Sequence, residues 1–270
     1  MIIPIYQVDA FTDQIFGGNP AAVCPLECWY PDELLQNVAA ENNLSETVFF
    51  KPSGKDFEIR WFTPSAEVEL CGHATLAAAH ILFNHLNFKG EHIIFKSIYS
   101  GRLEVARANE LLTLNFPVDH VEPAIPPDHL IESLGKRPLE IWRGKTDYLL
   151  YYGSQEDIEE ISPDFGMLAK IKTRGVIVTA PGYDCDFVSR FFAPFVGINE
   201  DPVTGSAHTS LVPFWAPRLD KLEFEAVQIS SRGGYLKCLL QGERVLISGK
   251  ASTYLIGSIY LPSNFSQEHF

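Results

Sequence analysis

The strongest constraint on how this chain folds is that it passes the same landmarks twice, in the same order. Pro31-Asp32 recurs as Pro163-Asp164 (163 − 31 = 132), and Arg60-Trp61-Phe62-Thr63-Pro64 as Arg190-Phe191-Phe192-Ala193-Pro194 (190 − 60 = 130). Gly72 recurs as Gly205 (205 − 72 = 133), and Gly101-Arg102-Leu103 and Glu110 recur as Gly234-Tyr235-Leu236 and Glu243, again 133 residues on. No single match is strong. Their common order and nearly constant spacing mark one unit of about 130 residues present twice. Prolines at 117, 123, 126 and 127 punctuate the join. A strand at 251–262 follows the completed second copy and is expected to return to the first. The expected halves are therefore 1–117 with 251–270, and 118–250.

Within each copy a glycine turn is central. Residues 67–80 read as a short strand, a turn at Gly72 and a helix of good formers running to about residue 86. Residues 200–208 repeat that character around Gly205. The first backbone N–H groups of a helix have no partner inside it, so such a turn can hold a carboxylate or an oxyanion. The expected site is a cleft with the two turns facing each other. Other strands are expected at 3–11, 21–25, 47–51, 57–62, 92–96, 102–107 and 111–116, with a helix from Pro31-Asp32 to about residue 40. Pro213 and Pro217 predict that the second central helix is shorter, or kinked, after Val212.

Composition narrows the function classes. With 46% hydrophobic and 20% charged residues there is apolar material for two modest cores. A net charge of −13, from 21 basic and 34 acidic residues, argues against a nucleic-acid surface. The opening residues lack a basic region before their apolar ones, and no apolar run approaches the ~20 residues of a membrane span, so neither export nor membrane insertion is expected. The five cysteines (Cys24, Cys28, Cys71, Cys185 and Cys238) are odd in number and scattered, which fits a reducing cytoplasm.

Glycine-rich phosphate loops are absent, so no nucleotide cofactor is expected. The histidines include no His-x-x-x-His, and Cys71-Gly72-His73 with His80 is the nearest approach to a metal set, so no metal is expected either. Ser206 lacks the second glycine of a hydrolase elbow and reads as a helix-start hydroxyl; Cys24 and Cys28 read as small core fillers. The remaining candidates are Glu46, Glu67, Glu69, Glu200, Asp201 and His73. Two acid/base groups flanking a cleft can take a proton from carbon and return one. Spacing does not choose among the five carboxylates. For His73 two readings stand: an exposed imidazole held near neutral by the helix start, or a histidine that merely caps the turn.

At these residues the chain resembles the phenazine-biosynthesis isomerase (PhzF-like) family, of the diaminopimelate-epimerase fold. The resemblance rests on Asp9-Ala10-Phe11-Thr12, Gly18-Asn19-Pro20-Ala21, Ser45-Glu46-Thr47, Phe62-Thr63-Pro64, Cys71-Gly72-His73-Ala74-Thr75 and Glu200-Asp201-Pro202-Val203-Thr204-Gly205-Ser206-Ala207, and runs essentially the whole length. It implies an α+β fold of two similar halves, each a sheet wrapped on a central helix. It also implies Glu46, His73 and Asp201 as catalytic residues, and Gly205-Ser206 with Gly72-His73 as the cradle for a substrate carboxylate, beside Cys71 and Asn19. A small carboxylate substrate, no metal or coenzyme, and a homodimer follow from the same resemblance. Thr47, Val48, Phe49, Phe62 and Leu70 are expected to supply part of an apolar wall for Glu46. A thiol epimerase built on Cys71 is the runner-up, because residues 201–208 offer no second cysteine. A non-catalytic binding protein is the third reading.

Overall fold

Runs rich in Val, Ile, Phe and Tyr form the strands, and the apolar helices behind the two glycines form the centres that the strands wrap. The computed structural model describes residues 1–261. The strands are β1 Ile2–Ala10, β2 Asn19–Pro25, β3 Glu46–Ser53, β4 Asp56–Phe62, β5 Glu67–Val68, β6 His92–Ser97, β7 Gly101–Ala108, β8 Leu111–Pro117, β9 Glu122–Pro123, β10 Glu140–Arg143, β11 Asp147–Tyr151, β12 Gly175–Pro181, β13 Phe187–Ala193, β14 Ile198–Glu200, β15 Glu223–Gln228, β16 Gly234–Gln241, β17 Arg244–Gly249 and β18 Ala251–Tyr260. The helices are α1 Asp32–Asn42, α2 Gly72–Asn84, α3 Leu130–Leu134, α4 Gln155–Glu159, α5 Phe165–Leu168 and α6 His208–Leu219. The chain divides into two units, Met1–Asn115 with the chain from Ser248 on, and Phe116–Ile247. Pro262 and the rest of the tail assigned to the first half lie outside the described residues.

Each unit has the same ladder. In the first, β18, β1 and β2 run antiparallel in turn, β2 pairs parallel with β3, β3 antiparallel with β4, β4 parallel with β6, and β6 antiparallel with β7. In the second, β9, β10 and β11 run antiparallel in turn, β11 pairs parallel with β12, β12 antiparallel with β13, β13 parallel with β15, and β15 antiparallel with β16. Thus β18 stands to β1 as β9 stands to β10. The extra strand after the second copy takes the place that the linker strand fills in the other unit.

The central helices are buried almost all round, which is what an all-apolar helix inside a curved sheet requires. From His73 to Ala79, and again from Ile81 to Phe83, every residue of α2 is buried, and the helix packs against β1, β2, β3, β7 and β18. In α6, His208–Val212 and Phe214–Ala216 are buried, and the indole of Trp215 stacks on Phe187 with centroids 5.5 Å apart while its Nε1 donates to Thr179 Oγ1 at 3.0 Å. The helix is not cut short after Val212: it runs to Leu219 with Pro213 and Pro217 inside it. Pro213 cannot donate to the Thr209 carbonyl, but the backbone N–H of Asp119 does so at 3.1 Å, which removes most of the cost of the interruption. Where the first unit has α1, the second has the two short helices α4 and α5, the latter capped by Asp164, which accepts from Met167 N at 2.9 Å. Among the described residues no helix is long and apolar enough to cross a membrane.

Candidate active site

The parallel pairing of β2 and β3 sets Ala21 opposite Glu46, so the starts of both strands come together at the start of α2. Gly18 makes the entry possible: its φ is +59°, and a Cβ there would lie 2.1 Å from the Ala10 carbonyl oxygen. Glu46, Cys71, His73 and Asn19 are all buried. His73 Nε2 lies 3.0 Å from Glu46 Oε2, and on its other side Nδ1 lies 3.2 Å from Asn19 Nδ2 and 3.4 Å from Cys71 Sγ. Glu46 Oε2 is at ion-pair distance from the imidazole but accepts no aligned hydrogen bond from a described residue. A lone pair on that oxygen is therefore left for another proton.

Burial opposes charge on His73, yet the neighbouring Cys71 and Glu46 outweigh it and raise the imidazole well above its ordinary range. Burial, reinforced by Glu46, pushes the Cys71 thiol up to about 11, so the thiol is protonated at neutral pH. The expectation of an exposed imidazole held near neutral is corrected by this geometry: His73 is 5% exposed, and its partner carboxylate is stronger than the helix start. Asn19 can serve either protonation state, offering its NH2 to a neutral Nδ1 or, with the amide turned, its oxygen to Nδ1–H.

The apolar wall also differs from expectation. Successive strand residues face opposite sides, so Val48 shares the Glu46 side of β3 while Thr47 and Phe49 look away from it. Phe49 and Phe62 pack with Leu34, Leu35 and Val38 of α1, and Thr47 accepts from Asn42. Leu70 is 39% exposed.

Glu46, Cys71 and His73 are the one group among the described residues that could hold a metal ion, with ligand atoms all within 4.8 Å. A metal needs one imidazole nitrogen facing both other ligands. Here Nε2 lies 3.0 Å from the carboxylate and 4.0 Å from the thiol, which itself lies nearer Nδ1 at 3.4 Å.

In the second unit Asp201 accepts from Thr204 Oγ1 at 2.5 Å, and its backbone carbonyl accepts from Gln228 Nε2 at 2.7 Å. Gly205 and Ser206 open the turn into α6. Ser206 Oγ accepts from Arg174 Nη1 at 3.0 Å, and Arg174 is forked onto Asp147, with Nε 2.9 Å from Oδ1 and Nη2 on Oδ2. Neither Arg174 nor Asp147 is distinguished in the sequence, where each looks like a turn residue before an apolar strand. His208 is a further residue that motif reading passes over. It is fully buried, its Nδ1–H donates to the Thr204 carbonyl at 2.9 Å, its Nε2 has no partner among the described residues, and burial lowers it to about 4.

Two of the other candidate carboxylates are taken up by arginines in matching places. Glu67 is gripped by Arg60 through two contacts of 2.7 Å, and Glu200 by Arg190 at 2.8 and 2.9 Å. Glu69 is exposed.

The family model described as phenazine biosynthesis-like protein, PhzC-PhzF, matches residues 8–257. An uncharacterised isomerase of Pseudomonas aeruginosa is 51% identical over 262 residues, covering 97% of this chain and all (100%) of the relative. The crystal structure of a PhzF-family phenazine biosynthesis protein from Enterococcus faecalis superposes with a TM-score of 0.93 at 44% identity, covering 97% of this chain and 100% of that one. A predicted epimerase from Pseudomonas aeruginosa, at 19% identity, 96% and 100% coverage and a TM-score of 0.73, shares the fold. The architecture is the duplicated diaminopimelate epimerase-like α+β fold.

Proposed function

The chain belongs to the phenazine biosynthesis-like PhzC-PhzF family and is an isomerase, and from that premise we propose that Glu46 moves a proton between carbons of a small carboxylate-bearing metabolite. One observation carries the reading: a buried Glu46 with an oxygen at 3.0 Å from a His73 whose proton it stabilises. A carbon acid beside a carboxylate gives up its proton slowly in water, so the base has to act in a dry setting and the charge that develops has to meet a fixed cation. Glu46 Oε2 takes the proton from carbon. As Glu46 becomes neutral, the His73 imidazolium loses its anionic partner and its attraction turns to the negative charge growing on the substrate. Glu46 then returns the proton to a second carbon. The step is redox-neutral, since the proton that leaves is the proton that comes back.

Asn19 and Cys71 hold His73 from its Nδ1 side, and Gly72, Gly205, Ser206 and Asp201 are the proposed contacts to the substrate and its carboxylate. The thiol-epimerase reading keeps one supporting observation, Cys71 Sγ beside His73 at 3.4 Å, but a thiol pushed up to about 11 is an acid rather than a resting base. The test is solvent-deuterium incorporation into a panel of carboxylate metabolites, dihydro-hydroxyanthranilate among them. Incorporation lost in Glu46→Gln and kept within about a thousandfold in Cys71→Ala supports the proposal. The opposite pattern supports the thiol epimerase, and binding without exchange in the wild type supports a binding protein.

A further inference from the structure

We infer that Arg174 is a positioning residue of the second unit: locked by Asp147, it occupies one lone pair of the Ser206 hydroxyl and orients it so that its proton is presented to a ligand's carboxylate oxygen. The inference rests on the proposed carboxylate chemistry and deepens it.

The argument starts from register. In the parallel pair β11–β12, Asp147 lies opposite Gly175, so its carboxylate is beside the residue that precedes β12, which is Arg174. The segment is pinned further by Arg174 N–H and Thr173 Oγ1, which both donate to the Thr146 carbonyl at 3.2 and 2.9 Å. Asp147 is 2% exposed, which makes its two bonds to Arg174 the condition of its burial. Below the guanidinium lies the ring of Phe191, 5.5 Å from Cζ to centroid. That ring occupies the space a side chain at position 175 would need, since a Cβ there would be 2.1 Å from Phe191 Cζ. Register, ion pair, ring and glycine therefore fix where Nη1 points, and it points at Ser206.

The consequence is chemical. A serine hydroxyl has one proton to give and two lone pairs. Arg174 Nη1–H takes one lone pair at 3.0 Å, which turns the Ser206 proton away from the guanidinium and leaves it, with one lone pair, for a ligand. A carboxylate can take the hydroxyl proton, whereas an ammonium or amidine can use only the one remaining lone pair, beside a guanidinium. Because Asp147 neutralises the arginine, what reaches Ser206 is direction rather than net charge. In each unit a side chain from the start of the third strand, or just before it, meets the start of the central helix: Glu46, the first residue of β3, meets His73, and Arg174, the residue before β12, meets Ser206.

The experiment is a double-mutant cycle on affinity, measured calorimetrically in the Glu46→Gln background so that turnover does not interfere. The probes are anthranilate, benzoate and acetate, with benzamidine as the cationic control. Arg174→Met and Ser206→Ala should each weaken the best carboxylate by about tenfold, the scale of one lost directional hydrogen bond. The double variant should be no weaker than either single one, because the arginine acts through the serine. Ser206→Ala should also narrow the preference for carboxylate over benzamidine. Additive losses, unchanged affinities, or no binding of any of the three carboxylates would overturn the inference. If Arg174→Met does not fold, Arg174→Lys, which keeps the charge beside Asp147 but not the fork, takes its place with the same expected cycle. The two readings fail separately: deuterium exchange that survives Glu46→Gln removes the proposed function, whereas additive affinities remove the role of Arg174 and leave Glu46 untouched.

Discussion

The start of the central helix meets different chemistry in the two units. In the first, Asn19, Glu46 and His73 form a buried row in which Cys71 and Glu46 together raise the imidazole. In the second, Ser206 holds the helix-start position of His73, and Arg174, one residue before the Gly175 that corresponds to Glu46, is locked by Asp147 onto the Ser206 hydroxyl. The first row contains an imidazole and a carboxylate, both able to carry a proton; the second offers a guanidinium, which does not deprotonate at neutral pH, and a hydroxyl. On the proposed reading the first row serves proton transfer and the second serves binding.

The comparison is broken most severely by removing its cation. His73→Leu leaves Glu46 buried without a partner and should cost about 3–5 kcal/mol in denaturant unfolding at pH 6. The raised His73 value gives the wild type a matching pH signature. A group whose folded value lies above its unfolded one adds stability that is complete below about 6.5 and fades as pH climbs through the raised value. His73→Leu should lack that alkaline fade, and a wild-type curve flat from pH 6 to 9 would contradict the pairing.

His208, buried beside the other helix start, should behave in the opposite sense. Its folded value of about 4 lies below its unfolded one of 6.5, so its contribution is complete above 6.5 and is lost as pH falls toward 4. The loss through this residue should reach about 3 kcal/mol at pH 4. His208→Gln should unfold with a shallower acid limb than the wild type, and an identical acid limb would count against a neutral buried imidazole.

A smaller effect is expected at Gly175, whose absent side chain makes room for Phe191. Gly175→Ala should cost about 1–3 kcal/mol of thermal stability, as overpacking does, while leaving the deuterium-exchange rate of saturated enzyme unchanged. The smallest effect belongs to the gripped acids. Glu67→Gln and Glu200→Gln should leave exchange within about threefold, since each carboxylate is engaged by its arginine and has no part in the proton transfer. Loss of exchange in either would reopen the choice among the carboxylates.

Much of the fold was legible because the landmarks Gly72 and Gly205, with Arg60 and Arg190 before them, survive in the chain at near-constant spacing. The family resemblance singled out Glu46 and His73, but not the burial of His73, which depends on a strand more than twenty residues upstream. The wall of Glu46 was misread for a local reason: Thr47 and Phe49 are neighbours in sequence, and a strand sends neighbours to opposite faces. The prolines of α6 do not end it at Val212, and the donor that serves the Thr209 carbonyl in place of Pro213 comes from Asp119, ninety-four positions earlier (213 − 119 = 94). Arg174 and Asp147 left no mark at all. Their meaning comes from a parallel pairing and from the ring of Phe191, and neither is written in the residues on either side.

The central claim is the division of labour between Glu46 and Ser206, and one paired measurement tests it most directly: the solvent-deuterium exchange rate at saturation and the carboxylate affinity of Glu46→Gln and Ser206→Ala, side by side. Glu46→Gln should lose exchange by at least about a thousandfold and keep affinity within about tenfold, while Ser206→Ala should lose about tenfold in affinity and keep exchange at saturation within about threefold. Exchange that survives in Glu46→Gln, or that vanishes in Ser206→Ala with affinity intact, would contradict it.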